Sequence, residues 1–339
     1  MRKVVALLFI LALMALSAAG GIYYMQQQLT RPLNLPESTL YQVESGDSAL
    51  TVLNDWSERG WLETPMLINR LWLKFFAGDT AIKTGAYMVR SDMTTPQAIA
   101  RMVAGDEHQF DIGLIEGLRL SQWLTLLEAH EAIDYDIDEE TLGELQSAWP
   151  LAPEQELMSV EGLFLADTYH FTYHTRASEL LKRAMQSMAA YLERAWQQRA
   201  GMLPLSSPYE ALILASIIEK ETAVAAERPH IAGVFVNRLE QNMRLQTDPT
   251  VIYGLGEAFD GNLTRAHLKG QTPYNTYVIA GLPPTPIAMA GRAAIDAALN
   301  PMVTEDLYFV AKGDGSHKFS ATLEEHNKAV YEFQVKPNQ

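Results

Sequence analysis

The sequence predicts an α+β protein in which a single N-terminal transmembrane helix precedes a small β-α-α-β domain and a larger mixed α+β domain. Three observations predict it. Val4 to Tyr24 is an uncharged apolar run of about 21 residues, which at ~1.5 Å rise per residue matches a ~30 Å hydrocarbon core. Beyond it, strand-like runs bounded by Gly, Pro, Asp and Ser are interspersed with stretches of helical period, without repeats. The 339 residues, 48% hydrophobic and 20% charged, are enough for two or three packed domains.

Taken in order, residues 1–3 form a tail whose Arg2 and Lys3 are the only charges before Arg31, so the positive-inside rule puts the tail in the cytoplasm and the rest outside. Ser17, Ala18 and Ala19 would suit a signal peptidase, but the apolar run continues through Ile22, Tyr23 and Tyr24, which favours an anchor over 4–24. Residues 25–40, with Gln26, Gln27, Gln28, Pro32 and Pro36, read as an unpatterned linker. In a domain spanning 41–108, Leu40 to Val43 makes a strand and Ser45-Gly46-Asp47-Ser48 turns the chain. Leu50, Leu53 and Trp56 then recur at helical spacing. Trp61, Leu67, Leu71, Trp72, Phe75 and Phe76 suggest a second helix with a wide buried face; Gly85 to Val89 returns as a strand. Thr95-Pro96 opens another helix, with the threonine as N-cap. A larger domain, 109–339, begins with strand-like Asp111 to Ile115, a Glu116-Gly117 turn and a helix from Ser121. It continues through a solvated acidic stretch at Asp134 to Glu144 and a long amphipathic helix, Ala177 to Arg199.

Composition narrows the function. Lys plus Arg number 26 against 41 Asp plus Glu, a net charge of −15, so a phosphate backbone is repelled and nucleic acid is not a partner. Cysteine is absent, which removes disulfides, thiolate metal sites and cysteine nucleophiles. His170 and His174 are spaced for zinc on a helix, but Phe171, Thr172 and Tyr173 between them favour a strand. No metal site or G-x-S-x-G elbow follows; His317 and His326 could touch substrate, but Gly313, Gly315 and Ser316 put His317 in a loop, where a solvated side chain is the plainer reading.

The chemistry concentrates in one segment. Ser207-Pro208-Tyr209-Glu210 is a capping box with proline at the first helical position, and Ala211 to Ile218 is apolar all round apart from Ser216. Glu219-Lys220-Glu221 closes that buried helix. At ~100° per residue the two glutamates lie about 160° apart, so at most one lines a pocket. Desolvation and the negative end of the helix dipole push such a carboxylate toward its protonated form, which suits a general acid. Arg244 to Gly254 and Thr272 to Tyr277 supply turn formers, amides, hydroxyls and tyrosines that suit sugar hydroxyls and acetamides, and Gly281-Leu282-Pro283-Pro284 is a stiff turn. Three readings fit: a lyase with one acid, a lysozyme-like hydrolase using Asp248 to activate water, and a non-catalytic glycan-binding anchor.

Two resemblances sharpen this. The β-α-α-β order around Val43-Glu44-Ser45-Gly46-Asp47-Ser48 resembles LysM modules, which bind chains of N-acetylated amino sugars. Ala215 to Thr222, Val234 to Leu239, Leu245 to Thr250, Tyr274 to Tyr277 and Gly281 to Pro284 resemble, in order, the motifs of the endolytic murein transglycosylases, the MltG/YceG-like family. Glu161-Gly162-Leu163-Phe164, Asp167-Thr168-Tyr169, Leu307 to Val310 and His326-Asn327 extend the likeness. Ala166 and Thr285-Pro286 depart from it, where the family usually has proline and Gly-Pro. The resemblance implies a lytic transglycosylase at the periplasmic face of the inner membrane that cuts MurNAc-GlcNAc bonds within glycan strands and leaves 1,6-anhydro-MurNAc ends, limiting nascent strand length. It implies Glu221 as the catalytic residue and Glu219, Gln246, Thr247, Asp248, Tyr274, Asn275, Thr276 and Tyr277 as substrate-binding residues. Peptidoglycan is then the substrate, peptidoglycan synthases the implied partners, and no cofactor is needed.

Overall fold

The computed structural model describes residues 2–151 and 157–336, and the chain divides into two compact units: Met1–Phe110 with His170–His174, and Asp111–Tyr169 with Thr175–Gln339. The first unit opens with helix α1 (Arg2–Leu29), long and apolar enough to cross a membrane and buried only at Met25, Gln28 and Leu29. Strand β1 (Thr39–Val43), helices α2 (Ala49–Glu58) and α3 (Met66–Phe75), strand β2 (Gly85–Val89) and helix α4 (Thr95–Ala104) follow. The strands pair antiparallel, from Thr39 opposite Val89 to Val43 opposite Gly85. Register and burial agree: Tyr41, Val43, Tyr87 and Val89 turn inward onto Val52, Leu53, Trp56, Ile99 and Met102.

Three local expectations change. The segment read as an unpatterned linker is packed structure: α1 extends to Leu29, and Leu33 and Leu35 belong to the core, with Leu33 N–H donating to Met93 O and Asn34 N–H to Trp61 O. Two isolated leucines between prolines carry no periodicity, so the sequence offered no sign of their burial. Helix α4 is capped by Thr94 rather than Thr95: Thr94 has extended backbone, its hydroxyl accepts from Gln97 N–H, and the Gln97 side chain returns to Thr94 N–H. Helix α3 packs through Met66, Asn69, Trp72 and Leu73, and the wide buried face expected of it is instead largely open, with Leu67, Leu71, Phe75 and Phe76 exposed.

The rest of the chain carries β3 (Phe110–Leu114), α5 (Leu120–Glu128), β4 (Ile133–Asp134), α6 (Glu139–Ser147), β5 (Asp167–Phe171), β6 (Thr175–Arg176) and α7 (Ala177–Gln197). Then come α8 (Pro208–Glu221), α9 (Arg228–Glu240), α10 (Asp248–Leu255), α11 (Arg292–Leu299), β7 (Tyr308–Ala311), β8 (His317–Ser320) and α12 (Leu323–Val330). Its sheets are small: β3 with β5, β4 parallel to β6, and a β7–β8 hairpin. The acidic stretch is partly structural, since Asp138 caps α6 at Thr141 N–H while Asp136 accepts from the backbone N–H and hydroxyl of Ser178 at the start of α7.

Helix α8 is the centre. Ser207 caps it by accepting from Glu210 N–H, and the Glu210 carboxylate accepts from Ser206 N–H. Ala211 through Ile218 are all buried among α7, α9, α10 and α11. Ser216, the one polar residue within that run, donates to Ile213 O and accepts from Ile287 N–H, so its hydroxyl is satisfied. Gly162, at φ +79°, lets a turn lie against Pro286; a Cβ there would come within 2.4 Å of the Pro286 ring.

The packed linker makes a testable point about truncation. A chain beginning at Met25 should fold, because residues before it bury nothing, whereas Leu33→Ala should destabilise the small unit by about 2–5 kcal/mol. Thermal or denaturant unfolding reads this directly, and an unchanged midpoint for Leu33→Ala would show that the segment is not part of the core.

Candidate active site

Glu221 is the last residue of α8, where the backbone turns extended at Thr222. Its side chain is half-buried, and the Thr247 hydroxyl donates to its Oε1. Burial pushes the Glu221 carboxyl up to about 7 from its usual 4.5, and Asp248 adds to the rise. The Thr247 hydrogen bond and the positive influence of His317 and Arg238 pull the other way. The group is thus a carboxylic acid that exchanges its proton near neutrality, the property required of a residue that gives a proton and takes one back.

Thr247 is held by an interlock of three buried threonines. Its N–H donates to Thr276 Oγ1 at 3.1 Å, Thr250 Oγ1 donates to its carbonyl at 2.8 Å, and the Thr250 and Thr276 hydroxyls meet at 2.8 Å. Arg238, buried on α9, fixes the approach to this turn. Its guanidinium donates to Leu307 O at 2.6 Å, Leu245 O at 2.9 Å and Arg244 O at 3.1 Å, and lies over the Tyr308 ring. Those contacts hold Gln246 in the left-handed region at φ +50°, with its N–H on Thr276 O at 3.2 Å.

The other residues singled out in the sequence divide into two groups. Asp248, exposed at the first position of α10, accepts from Tyr277 Oη at 2.7 Å, and both stand beside the Thr247–Glu221 pair. Thr276 and Gln246 form the turn just described. Glu219 is turned away: Arg228 pairs with its Oε1 at 3.1 Å, Gly291 N–H donates to its Oε2 at 3.0 Å, and its side chain is 5% exposed. Asn275 is fully buried and uses its amide on the carbonyls of His267, Leu268 and Gly270 and its Oδ1 on Tyr277 N–H. Tyr274 contacts Tyr253 edge to face and hydrogen-bonds Thr285 at 3.0 Å, so one departure from the family pattern supplies a hydroxyl where glycine has none.

Several contributors were not selected from sequence. Arg238 follows the apolar stretch Ile231 to Val236 and Asn237 on α9, and turns inward as a buried donor. His317, expected in a solvated loop, opens β8; its Nδ1 lies 2.8 Å from Glu227 Oε2 and its N–H donates to Glu227 Oε1. Glu161 is a second buried carboxyl. It accepts from Leu120 N–H at the start of α5 and lies 3.4 Å from Tyr253 Oη, and burial raises it to about 7. Because the strap just before α5 also meets the end of α8, through Lys220 Nζ on Gly117 O, Glu161 helps seat both flanks of the acid.

Comparison with known proteins points the same way. The model of the YceG-like family matches residues 41–332. An endolytic murein transglycosylase of Bacillus subtilis (strain 168) is 29% identical over 326 residues, covering 91% of this chain and 89% of that protein. One from Streptococcus pneumoniae serotype 2 (strain D39) is 24% identical over 95% of this chain, which spans 64% of that longer relative. A crystal structure of a yceG-like protein from Listeria monocytogenes aligns with a TM-score of 0.57 at 29% identity, covering 87% of this chain and 99% of that one.

The elevated proton affinity of Glu221 has a stability signature. Its folded state binds the proton more tightly than the unfolded chain, so this side chain costs stability as pH rises from about 4.5 through about 7. Glu221→Gln should therefore be more stable than the parent at pH 8, on the order of 1–3 kcal/mol, with the difference vanishing near pH 4. Denaturant titrations at the two pH values measure it; equal offsets at both would mean that Glu221 titrates normally.

Proposed function

Since the chain belongs to the YceG-like family, we propose that it is an endolytic peptidoglycan lytic transglycosylase, with Glu221 as the one group that moves protons. The observation that carries the reading is a carboxyl held near neutral pKa at the end of a helix buried from Ala211 to Ile218, hydrogen-bonded by a hydroxyl and facing a polar loop set. As an acid, Glu221 protonates the glycosidic oxygen leaving C1 of MurNAc. As the resulting carboxylate, it takes the proton from the C6 hydroxyl while that oxygen attacks C1. One C–O bond breaks, one forms, the proton returns to Glu221, and no water is consumed.

Gln246, Thr247, Asp248, Thr276 and Tyr277 are proposed to shape the cleft, with Asp248 and the Tyr277 hydroxyl offered to sugar hydroxyls. Glu219 and Asn275 would act on substrate only through the loops they hold. Glu219 is paired with Arg228 and Glu227 with His317, which leaves Asp248, hydrogen-bonded by Tyr277, as the water-activating group that a lysozyme-like hydrolase would have to use. We place α1 in the inner membrane with its N-terminus cytoplasmic and both units periplasmic, on the strength of Arg2 and Lys3 before an uninterrupted apolar helix. The small unit, LysM-like in its β-α-α-β order, is proposed to bind glycan strands, and the enzyme to limit nascent strand length in company with the synthases that extend it.

Digestion of purified peptidoglycan tests the chemistry. Fragments should end in 1,6-anhydro-MurNAc, one water lighter than hydrolytic products and inert to borohydride. Reducible MurNAc ends carrying label from heavy-oxygen water would replace the lyase with a hydrolase. Glu221→Gln should abolish cleavage while remaining folded. Glu219→Gln should keep cleavage at low temperature but lower stability by about 1–3 kcal/mol through the loss of a buried charge-assisted bond. Equal loss of activity in both would overturn the assignment of Glu221.

A further inference from the structure

Helix α3 is amphipathic in an unusual sense. One side, Met66, Asn69, Trp72 and Leu73, faces the small unit's core. On the opposite side Leu67, Leu71 and Phe75, spaced i, i+4 and i+8, form a stripe 69%, 42% and 63% exposed, continued by Phe76 at 52%. Arg70 and Lys74, also exposed and one turn apart, border the stripe, and Lys74 Nζ lies 5.2 Å from the Phe75 ring centre. Four large apolar side chains on a ten-residue helix and its C-cap are more than the scattered singles that surfaces ordinarily carry.

The position of α3 in the small unit gives that face an occupant. The helix packs on α1, and the Thr64 hydroxyl, two residues before α3, donates to Gln28 O in the last turn of α1 at 2.8 Å. Asn69 Nδ2 donates back to Thr64 O at 3.1 Å, which ties α3 rigidly to that junction. Tyr23 and Tyr24, exposed on α1 where the apolar run ends, suit the membrane–water interface. Gln28 is four residues beyond Tyr24, about 6 Å along the helix axis. The headgroup layer is itself roughly 5–8 Å deep on each side of the hydrocarbon. The start of α3 is therefore held at headgroup height if α1 spans the bilayer.

We propose that α3 is an interfacial helix that lies on the outer leaflet of the membrane α1 crosses, with Leu67, Leu71, Phe75 and Phe76 inserted among the upper acyl chains and Arg70 and Lys74 reaching the lipid phosphates. The proposal rests on the anchoring role assigned to α1. A helix of this kind, apolar on one face with basic residues at its border, binds an interface through buried apolar area plus attraction to anionic lipid. Its consequence is orientational. A span alone can tilt and rotate in the bilayer and carry the small unit with it, whereas a second contact fixes the unit's attitude to the membrane surface.

The absence of cysteine makes the test clean, since every introduced thiol is unique. Spin labels placed on Leu11→Cys, Leu67→Cys, Phe75→Cys and Glu58→Cys of the full chain in bilayer nanodiscs can be compared for collisions with oxygen, which concentrates in lipid, and with a water-soluble nickel chelate. All four positions are exposed, so labelling should leave the fold intact, and circular dichroism verifies that. Labels at Leu67 and Phe75 should favour oxygen over nickel by several-fold relative to the α2 label at Glu58, while Leu11 reports the bilayer interior. A membrane-buried Leu11 with nickel-accessible Leu67 and Phe75 overturns the proposal and leaves the anchor standing. Labels at Leu67 and Phe75 shielded from both reagents mean a protein partner instead, which also overturns it. A nickel-accessible Leu11 rejects the anchor itself.

Discussion

Desolvation of a single carboxyl at the end of a buried helix is the constraint around which the larger unit is arranged. Helix α8 buries every side chain from Ala211 to Ile218, so it cannot shift or rotate without exposing apolar surface. Its last residue therefore emerges at a position set by the packing of α7, α9, α10 and α11 rather than by its own preferences. Glu221 is thereby partly desolvated, and its pKa rises as a consequence of where the helix ends. Thr247, His317 and Arg238 partly offset that cost.

The counterbalance comes from far away in the chain. Thr247 is aimed by Thr276 and Thr250, and its turn is set by Arg238, which draws on carbonyls of Arg244, Leu245 and Leu307. A hydroxyl held at both its backbone groups by other buried hydroxyls loses little freedom when it bonds to Glu221, which is the physical content of preorganisation. The β7–β8 hairpin adds a second layer. His317 grips Glu227, and His230, whose Nε2 lies 2.7 Å from Asp306, stacks face to face on Phe319 at 3.6 Å between ring centres. Two histidine–carboxylate pairs thus seat the hairpin against the segment that follows the acid.

Glu161 belongs to the same design at greater distance. A buried carboxyl at the N-terminus of α5 accepts from a helix N–H, where the dipole favours negative charge, yet burial raises its proton affinity all the same. Its neighbours Arg119, over the Tyr253 ring, and Tyr253 itself join α5 to α10, so that the strap at Gly117 and the helix carrying Asp248 are braced from one point. The motif Glu161-Gly162-Leu163-Phe164, which has no obvious chemistry, thereby has a structural role: Gly162 admits Pro286 and Glu161 holds the start of α5.

The sequence by itself determined what depends on neighbours in the chain. The apolar run to Tyr24, the β-α-α-β order of the small unit, the capped and buried helix Pro208–Glu221 and the separation of its two terminal glutamates all follow from periodicity and caps. Tertiary structure decided everything that depends on a partner chosen from elsewhere. Helical geometry says that Glu219 and Glu221 diverge, but which one is desolvated beside a hydroxyl and which is neutralised by an arginine was set by Thr247, Arg228 and Gly291. Asn275 reads as a sugar-binding amide until three carbonyls claim it, and Leu33 and Leu35 read as linker until a core receives them. The apolar stripe of α3 reads as core by the same rule that correctly finds α2 and α4, because amphipathic period records that a face avoids water and not what covers it.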